Sequence, residues 1–231
     1  HGRLSAYSKG APVRIIGAQT TGARDLFWYV REDSPIKSLK DTAGKTIAYS
    51  TKGSSTNGIV TAFMKQYDLK ATPVATGSPS STLTQVMSGQ VDVGWSAPPF
   101  GLDQLDEKKI RIIASGNDAT VFKGQTVRLL IANAQFLQSK KAVVDRFMKA
   151  YRETVDAMYA DPNALKLYAD FVGITEAKAK RTRDDFFPKA SIDPDKVVGL
   201  DSIVQDAVTF KFTAAPLTKE QLAELMQIPP R

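Results

Sequence analysis

The sequence predicts an α/β fold with a mostly parallel sheet covered by helices. Three observations carry this. Short apolar runs alternate with amphipathic helical stretches over the first 134 residues. The hydrophobic share, 42%, is that of a chain with a packed core. A length of 231 residues suffices for one large or two modest domains.

The elements follow in order. Strands are expected at 13–18 (VRIIGA), 26–30 (LFWYV) and 45–49 (KTIAY). A helix over 58–69 follows, with Ile59, Ala62, Phe63 and Tyr67 on one face. Next come a strand at 72–75, a helix near 80–88, a strand at 91–95 (VDVGW), a short helix at 101–107, and strands at 110–114 (IRIIA) and 127–132 (VRLLIA). After residue 134 the pattern turns helical. Val144, Phe147, Tyr151, Val155 and Met158 mark a long amphipathic helix. Pro162 opens another, and further helices are expected at 176–187, 195–208 and 219–226, with Pro194 and Thr218 as start signals.

Composition excludes several chemistries. There is no cysteine, so no disulfide, thiolate ligand or cysteine nucleophile. The single histidine is His1, at the terminus and readable as a tag remnant, so a Ser-His-Asp triad or a multi-histidine metal site is excluded. The net charge of +7 is spread along the chain, without the clustered basic and aromatic residues of a nucleic-acid module. No apolar run approaches the ~20 residues of a membrane span; the first residues, HGRLSAYSKG, are polar and show no signal peptide, as a processed or trimmed protein would also look.

Two stretches echo one another. SAYSKGAPVRIIG (5–17) and DQLDEKKIRIIAS (103–115) each run from a helix end through a basic turn into (V/I)-R-I-I. This suggests two similar lobes. A whole βαβαβ run precedes the second copy, whereas Arg14 has only 13 residues ahead of it. The first lobe is therefore expected to be incomplete, lacking its opening strands.

The site candidates lie in loops. STKGSSTNG (50–58) puts six hydroxyl or amide side chains and two glycines between a strand and a helix. Unpaired N–H groups at the helix start, with the helix dipole, favour an anionic head group such as sulfonate, carboxylate, nitrate or phosphate. The stretch is not a P-loop, because GxxxxGK[ST] is missing. Ordinary N-capping, which needs only one such side chain, competes with this reading. In SGQVDVGWSAPPFGL (88–102), Trp95, Ser96, Pro98 and Phe100 follow a strand and belong to the same rim of carboxyl-end loops. Core packing competes for Trp95 and Phe100, and Asp92 is expected to be structural. The stretches 17–30 and 114–130 read as hinge crossings. They offer Gln19, Thr20 and Asn117, with Arg24 and Arg128 as further countercharges or plain surface arginines.

These residues carry a resemblance. S-x-x-G-S-S, a helix, SGQVDVGW with a Pro-Pro-aromatic loop, and then IRIIAS resemble solute-binding proteins of ABC importers. The likeness is to the nitrate/sulfonate/taurine type, which also includes binders of thiamine pyrimidine precursors. DSPIKSLKDTAGKTIAYS (33–50) is similar to that family's S-x-I-x-x-x-x-D-L-x-G-K-x-I, with Thr42-Ala43 where Leu is usual. The resemblance implies a two-lobed, type II periplasmic-binding-protein fold (a Venus flytrap). The first lobe would be 1–30 with 120–231 (partial, with a helical tail), the second 35–117, and the hinges near 19–30 and 115–126. The family's usual opening strand–helix–strand–helix–strand run is missing.

The implied function is capture of a small anion for a membrane permease, by a monomer in the periplasm, or lipid-anchored or extracellular in a Gram-positive host. The implied ligand residues are Gln19, Thr20, Ser50, Thr51, Gly53, Ser54, Ser55, Thr56, Asn57, Trp95, Ser96, Pro98, Phe100 and Asn117. No catalytic residue, metal, cofactor or nucleic acid is assigned. Sulfonate binders often carry Trp-Asp-Pro where Ala97-Pro98-Pro99 stands here, which weakens the case for an amine-bearing ligand such as taurine. Two other classes stay open: the effector-binding lobe of a transcriptional regulator, and a thiamine-pyrimidine synthase-like enzyme.

Overall fold

The computed structural model describes residues 1–231. The chain divides into two compact units: His1–Thr21, Gly124–Gly173 and Pro188–Arg231 form the first, Gly22–Lys123 and Ile174–Phe187 the second.

The second unit holds strands β2 (Phe27–Arg31), β3 (Thr46–Tyr49), β4 (Thr72–Ala75), β5 (Gly94–Ser96) and β6 (Ile110–Ser115). β3 pairs with β4 in parallel, and a parallel bridge from Ile47 to Val93 ties β3 to the start of β5. β2 lies between β5 and β6, antiparallel to both. The strands thus run in the order β4-β3-β5-β2-β6, with β2 alone reversed. Helix α2 (Ser55–Gln66) covers one face, where Phe63 meets Trp28 edge-on at 5.1 Å between ring centroids. Helix α3 (Pro79–Met87) covers the other. There Gly94 makes room for Tyr29: a Cβ on Gly94 would lie 2.5 Å from Tyr29 Cζ and 2.8 Å from Val86 Cγ2. The short helices α4 (Leu102–Asp106) and α5 (Thr120–Lys123) complete the run.

In the first unit, α1 (Gly2–Ser8) leads into β1 (Val13–Ala18), which pairs antiparallel with β7 (Leu129–Asn133). Met226 adds a single parallel bridge to Ile15. Helix α6 (Ala134–Ser139) follows β7 directly. Helix α7 (Lys141–Ala160) lays Val144 and Met148 on Ile16 from one face. Leu4, Ile203, Val204, Ala207 and Leu225 pack on Ile15 from the other. Those residues come from α1, α10 (Leu200–Thr209) and α11 (Lys219–Leu225). Helix α8 (Pro162–Val172) starts as the sequence predicts, with Pro162 in its first turn and Asp161 accepting from Asn163 N–H. Thr218 and Gln221 form the expected capping box of α11.

Four expectations are corrected. Parallel pairing between strands is confined to the second unit, because the first contributes only the antiparallel β1·β7 pair. The strand expected at 91–95 lies at Gly94–Ser96, since Asp92 is held out of regular pairing: its carboxylate accepts from Thr46 N and Oγ1 at 3.0 and 3.1 Å. The helix expected at 195–208 begins only at Leu200. The Pro194 carbonyl accepts from Ala18 N–H, and Asp195 binds Arg152 and Arg231, which holds that segment in turns outside the helix. Finally, the helix expected at 176–187 is α9 (Glu176–Arg181) plus one π-helical turn, Thr182–Phe186, and lies in the second unit rather than with the helical tail. Lys178 to Asp103, Arg181 to Asp106 at 2.6 Å, and Phe186 against Phe27 at 6.0 Å hold it there. These partners lie about 75 or more residues back along the chain and leave no local pattern in the sequence.

Candidate functional site

The loop between β3 and α2 supplies the hydroxyl groups of the second unit's rim. α2 begins at Ser55, three residues earlier than the helical period predicts, because Ser54 is its N-cap and accepts from Asn57 N–H at 3.1 Å. Thr56, 3% exposed, is the hub. Its Oγ1 lies 2.8 Å from Ser50 N, 2.8 Å from Ser50 Oγ and 2.9 Å from Ser54 Oγ. A threonine hydroxyl has two acceptor positions and one proton. Ser50 N–H occupies one acceptor position, so one neighbouring serine donates into the other and Thr56 donates to the remaining serine. One hydroxyl proton, on Ser50 or Ser54, is left over. Asn57 Oδ1 accepts from Gly53 N–H at 2.9 Å, which closes the loop at a glycine with φ +82°.

Two of the loop's hydroxyl protons are therefore spent internally, and several side-chain oxygens serve as acceptors for its own backbone and hydroxyls. What remains is specific. The backbone N–H groups of Ser55 and Thr56, in the first turn of α2, have no acceptor within the chain. The Ser55 and Thr51 hydroxyls and the Asn57 amide nitrogen add side-chain donors, and the exposed Lys52 carries the loop's formal positive charge. The dipole of the 12-residue α2 adds partial positive charge at the same end.

A second group converges on this rim. Trp95 is 7% exposed, and its indole Nε1 is buried without a hydrogen-bond partner. Trp95 pairs in register with Trp28, whose ring meets α2, so both side chains stand on the α2 face. The isolated parallel bridge between Ile47 and Val93 puts the start of β5 beside β3, so both strands end on the same rim, β3 at Tyr49 and β5 at Ser96. An unpaired indole donor in a dry environment is costly unless something accepts from it.

The other predicted residues sort differently. The Ser96 hydroxyl is spent on Phe100 C=O at 2.9 Å, and Pro98 is buried before a cis Pro98–Pro99 bond. Phe100 is 39% exposed, which sets it apart from the core. Asn117 Oδ1 accepts from Ala23 N–H at 2.7 Å, a structural role. Gln19 and Thr20 belong to the first unit. The Gln19 side chain hydrogen-bonds Tyr151, while burial pushes the Tyr151 hydroxyl up. The Thr20 hydroxyl is buried and unpartnered. Arg24 Nε donates to the Asp185 carbonyl at 2.7 Å. Sequence reasoning missed Phe186. It lies against Phe27, whose ring tip would be 3.1 Å from a Cβ on Gly101, so it stands next to the Ser96–Gly101 loop. No group of three or more His, Asp or Glu side chains comes together to hold a metal.

This architecture is the periplasmic-binding-protein fold. SsuA, the periplasmic aliphatic sulphonate binding protein of Escherichia coli, superposes with a TM-score of 0.74 at 18% identity, over 99% of this chain and 73% of that one. The alkanesulfonate-binding protein SsuA of Xanthomonas axonopodis pv. citri, bound to MOPS, gives 0.79 at 18% identity, over 98% and 78%. The family is specific as well: residues 2–165 match the NMT1/THI5-like model, and the chain belongs to that family. A curated relative in Escherichia coli (strain K12), named for binding aliphatic sulfonates, is 23% identical over 152 residues. The match takes in 65% of this chain and 46% of the relative, so the chain spans less than half of that protein's length.

Proposed function

We propose that the chain is the solute-binding component of an ABC importer, and that the rim of its second unit holds the acidic head group of a small organosulfonate. The observation that carries this is that two backbone N–H groups, on Ser55 and Thr56, have no acceptor within the chain, while the indole of Trp95, on the α2 face of the same rim, is buried and unpartnered. A sulfonate offers three oxygens with diffuse charge, which suits several neutral donors better than one strong ion pair. The names of the relatives support the sulfonate class over nitrate and carboxylate. Thr51, Asn57 and Phe100 would flank the ligand, while Gly53, Ser54 and Thr56 shape the loop. Gln19 and Thr20 are the first unit's candidates.

Under this reading the protein binds without chemistry and is not an enzyme. It works in the periplasm, or outside the cell in a Gram-positive host, as a monomer that hands its ligand to a membrane permease. The two compact units would be its two lobes, with hinges near 19–30 and 115–126; the chain passes between the units at Thr21/Gly22 and Lys123/Gly124, and again at Gly173/Ile174 and Phe187/Pro188. A thermal-shift screen of alkanesulfonates, nitrate and carboxylates tests the ligand class, because a ligand of the native state raises the melting point by mass action. Stabilisation by alkanesulfonates above the others is expected. Stabilisation by carboxylates alone would overturn the sulfonate reading.

A further inference from the structure

Asn57 and Gly58 form the only Asn-Gly step in the chain; the other asparagines precede aspartate (Asn117) or alanine (Asn133 and Asn163). Asparagine is a thermolabile residue, and most so before glycine, where no side chain shields the following backbone nitrogen from the carboxamide. Packing accounts for the glycine. A Cβ on Gly58 would lie 3.3 Å from Phe122 Cζ, so that ring keeps the position small, although glycine is a poor residue inside a helix.

The first turn of α2 restrains the pair. Gly58 N–H donates to the Ser54 carbonyl at 3.1 Å, which occupies the nitrogen that would attack. Asn57 Oδ1 accepts from Gly53 N–H at 2.9 Å, and Asn57 N–H donates to Ser54 Oγ at 3.1 Å. All three bonds belong to one turn at a helix end, where local opening costs least. No acidic residue stands in that turn.

We propose that Asn57 is a deamidation site, released by opening of the first turn of α2, and that its product carboxylate turns the anion site off. In the opened turn Gly58 N loses its proton to base and bonds to Asn57 Cγ. The side-chain nitrogen leaves as ammonia, and a cyclic imide joins the two residues. Water then opens the imide at either carbonyl, giving aspartate or isoaspartate. The net change is one carboxamide and one water to one carboxylate and one ammonium. Aspartate suits the fold. Its carboxylate can still accept from Gly53 N–H, now as a charged acceptor, and a negative charge is stabilising at a helix N-terminus. It does not suit an anionic ligand, because an amide donor is lost and a like charge stands beside Ser55 and Thr56. This consequence rests on the sulfonate reading above; the conversion itself does not.

Peptide mass spectrometry on the 231-residue chain, held folded in mildly alkaline buffer, follows the conversion, with Asn133 and Asn163 as internal references. Asn57 should convert ahead of both. Ser54→Ala should speed it about fivefold, the shift in turn opening that a lost N-cap brings. Gly58→Ala should slow it to the rate of the references. An Asn57 rate no higher than theirs, or one that Ser54→Ala leaves unchanged, overturns the site. Asn57→Asp stands for the product. It should keep or raise the urea midpoint while losing about tenfold or more in alkanesulfonate affinity by calorimetry. Unchanged affinity refutes the switch, and so does a loss that comes with a lowered midpoint, since damage to the fold would then explain it. A wild-type protein that binds no alkanesulfonate defeats the sulfonate reading instead, and the conversion rates then decide the modification alone.

Discussion

Thr56→Val removes the hydroxyl at the centre of the Ser50–Asn57 loop and keeps the side chain's shape. The wild-type oxygen makes three contacts of 2.8, 2.8 and 2.9 Å in a residue 3% exposed. A net intramolecular hydrogen bond contributes about 0.5–1.5 kcal/mol, and a buried N–H left without an acceptor costs about 1–3 kcal/mol. Ser50 N–H loses its acceptor outright, while the two serine hydroxyls can rotate toward solvent. The expected loss is therefore about 2–3 kcal/mol, set mainly by that one amide. Urea unfolding would read it as a lower midpoint at unchanged slope. Thr61→Val, on the exposed side of the same helix, is the control and should stay within about 0.5 kcal/mol. A Thr56→Val loss no larger than the control's would refute the hub.

Further outcomes follow from the same geometry. Ser54→Ala should cost about 1 kcal/mol of stability as a lost N-cap. Ser55→Ala should leave stability within about 0.5 kcal/mol but weaken sulfonate binding several-fold in calorimetry, because its hydroxyl bonds nothing in the chain. Tyr29→Phe should be neutral or stabilising in urea, since the Tyr29 hydroxyl is buried without a partner and burial pushes it up. Arg152→Met should cost about 2–3 kcal/mol, as Arg152 is 7% exposed and binds Asp195 at 2.6 Å and the Pro229 and Pro230 carbonyls. Burial pushes the Asp195 carboxyl up, but hydrogen bonds from Arg231 and Arg152 outweigh it and hold the carboxyl below its ordinary 3.8. The stability it contributes is therefore present above that value and lost as pH falls through the depressed one, so Arg152→Met should flatten the acid limb of a stability–pH profile.

Local signals in the sequence were reliable where local physics decides. The apolar periods located β1, β3, β4, α2 and α7, and Pro162 and Thr218 marked true helix starts. The resemblance carried the two-lobed class. What failed depended on distant partners. Pro194 looked like a helix start, but its carbonyl belongs to Ala18 and the next residue to Arg152. Residues 174–187 looked like tail, yet ion pairs to Asp103 and Asp106 tie them to the second unit. At the loop, composition found the hydroxyls but could not divide structural from available ones. That division depends on distances around Thr56, and the unpaired Trp95 indole depends on strand register.

Backbone and indole resonances offer the most direct test. A short alkanesulfonate titrated into isotopically labelled protein should shift the amide signals of Ser55 and Thr56 and the Trp95 indole signal together, along one saturable curve. Saturable binding that leaves those three signals where they stand would contradict the assignment of the head group to the tip of α2.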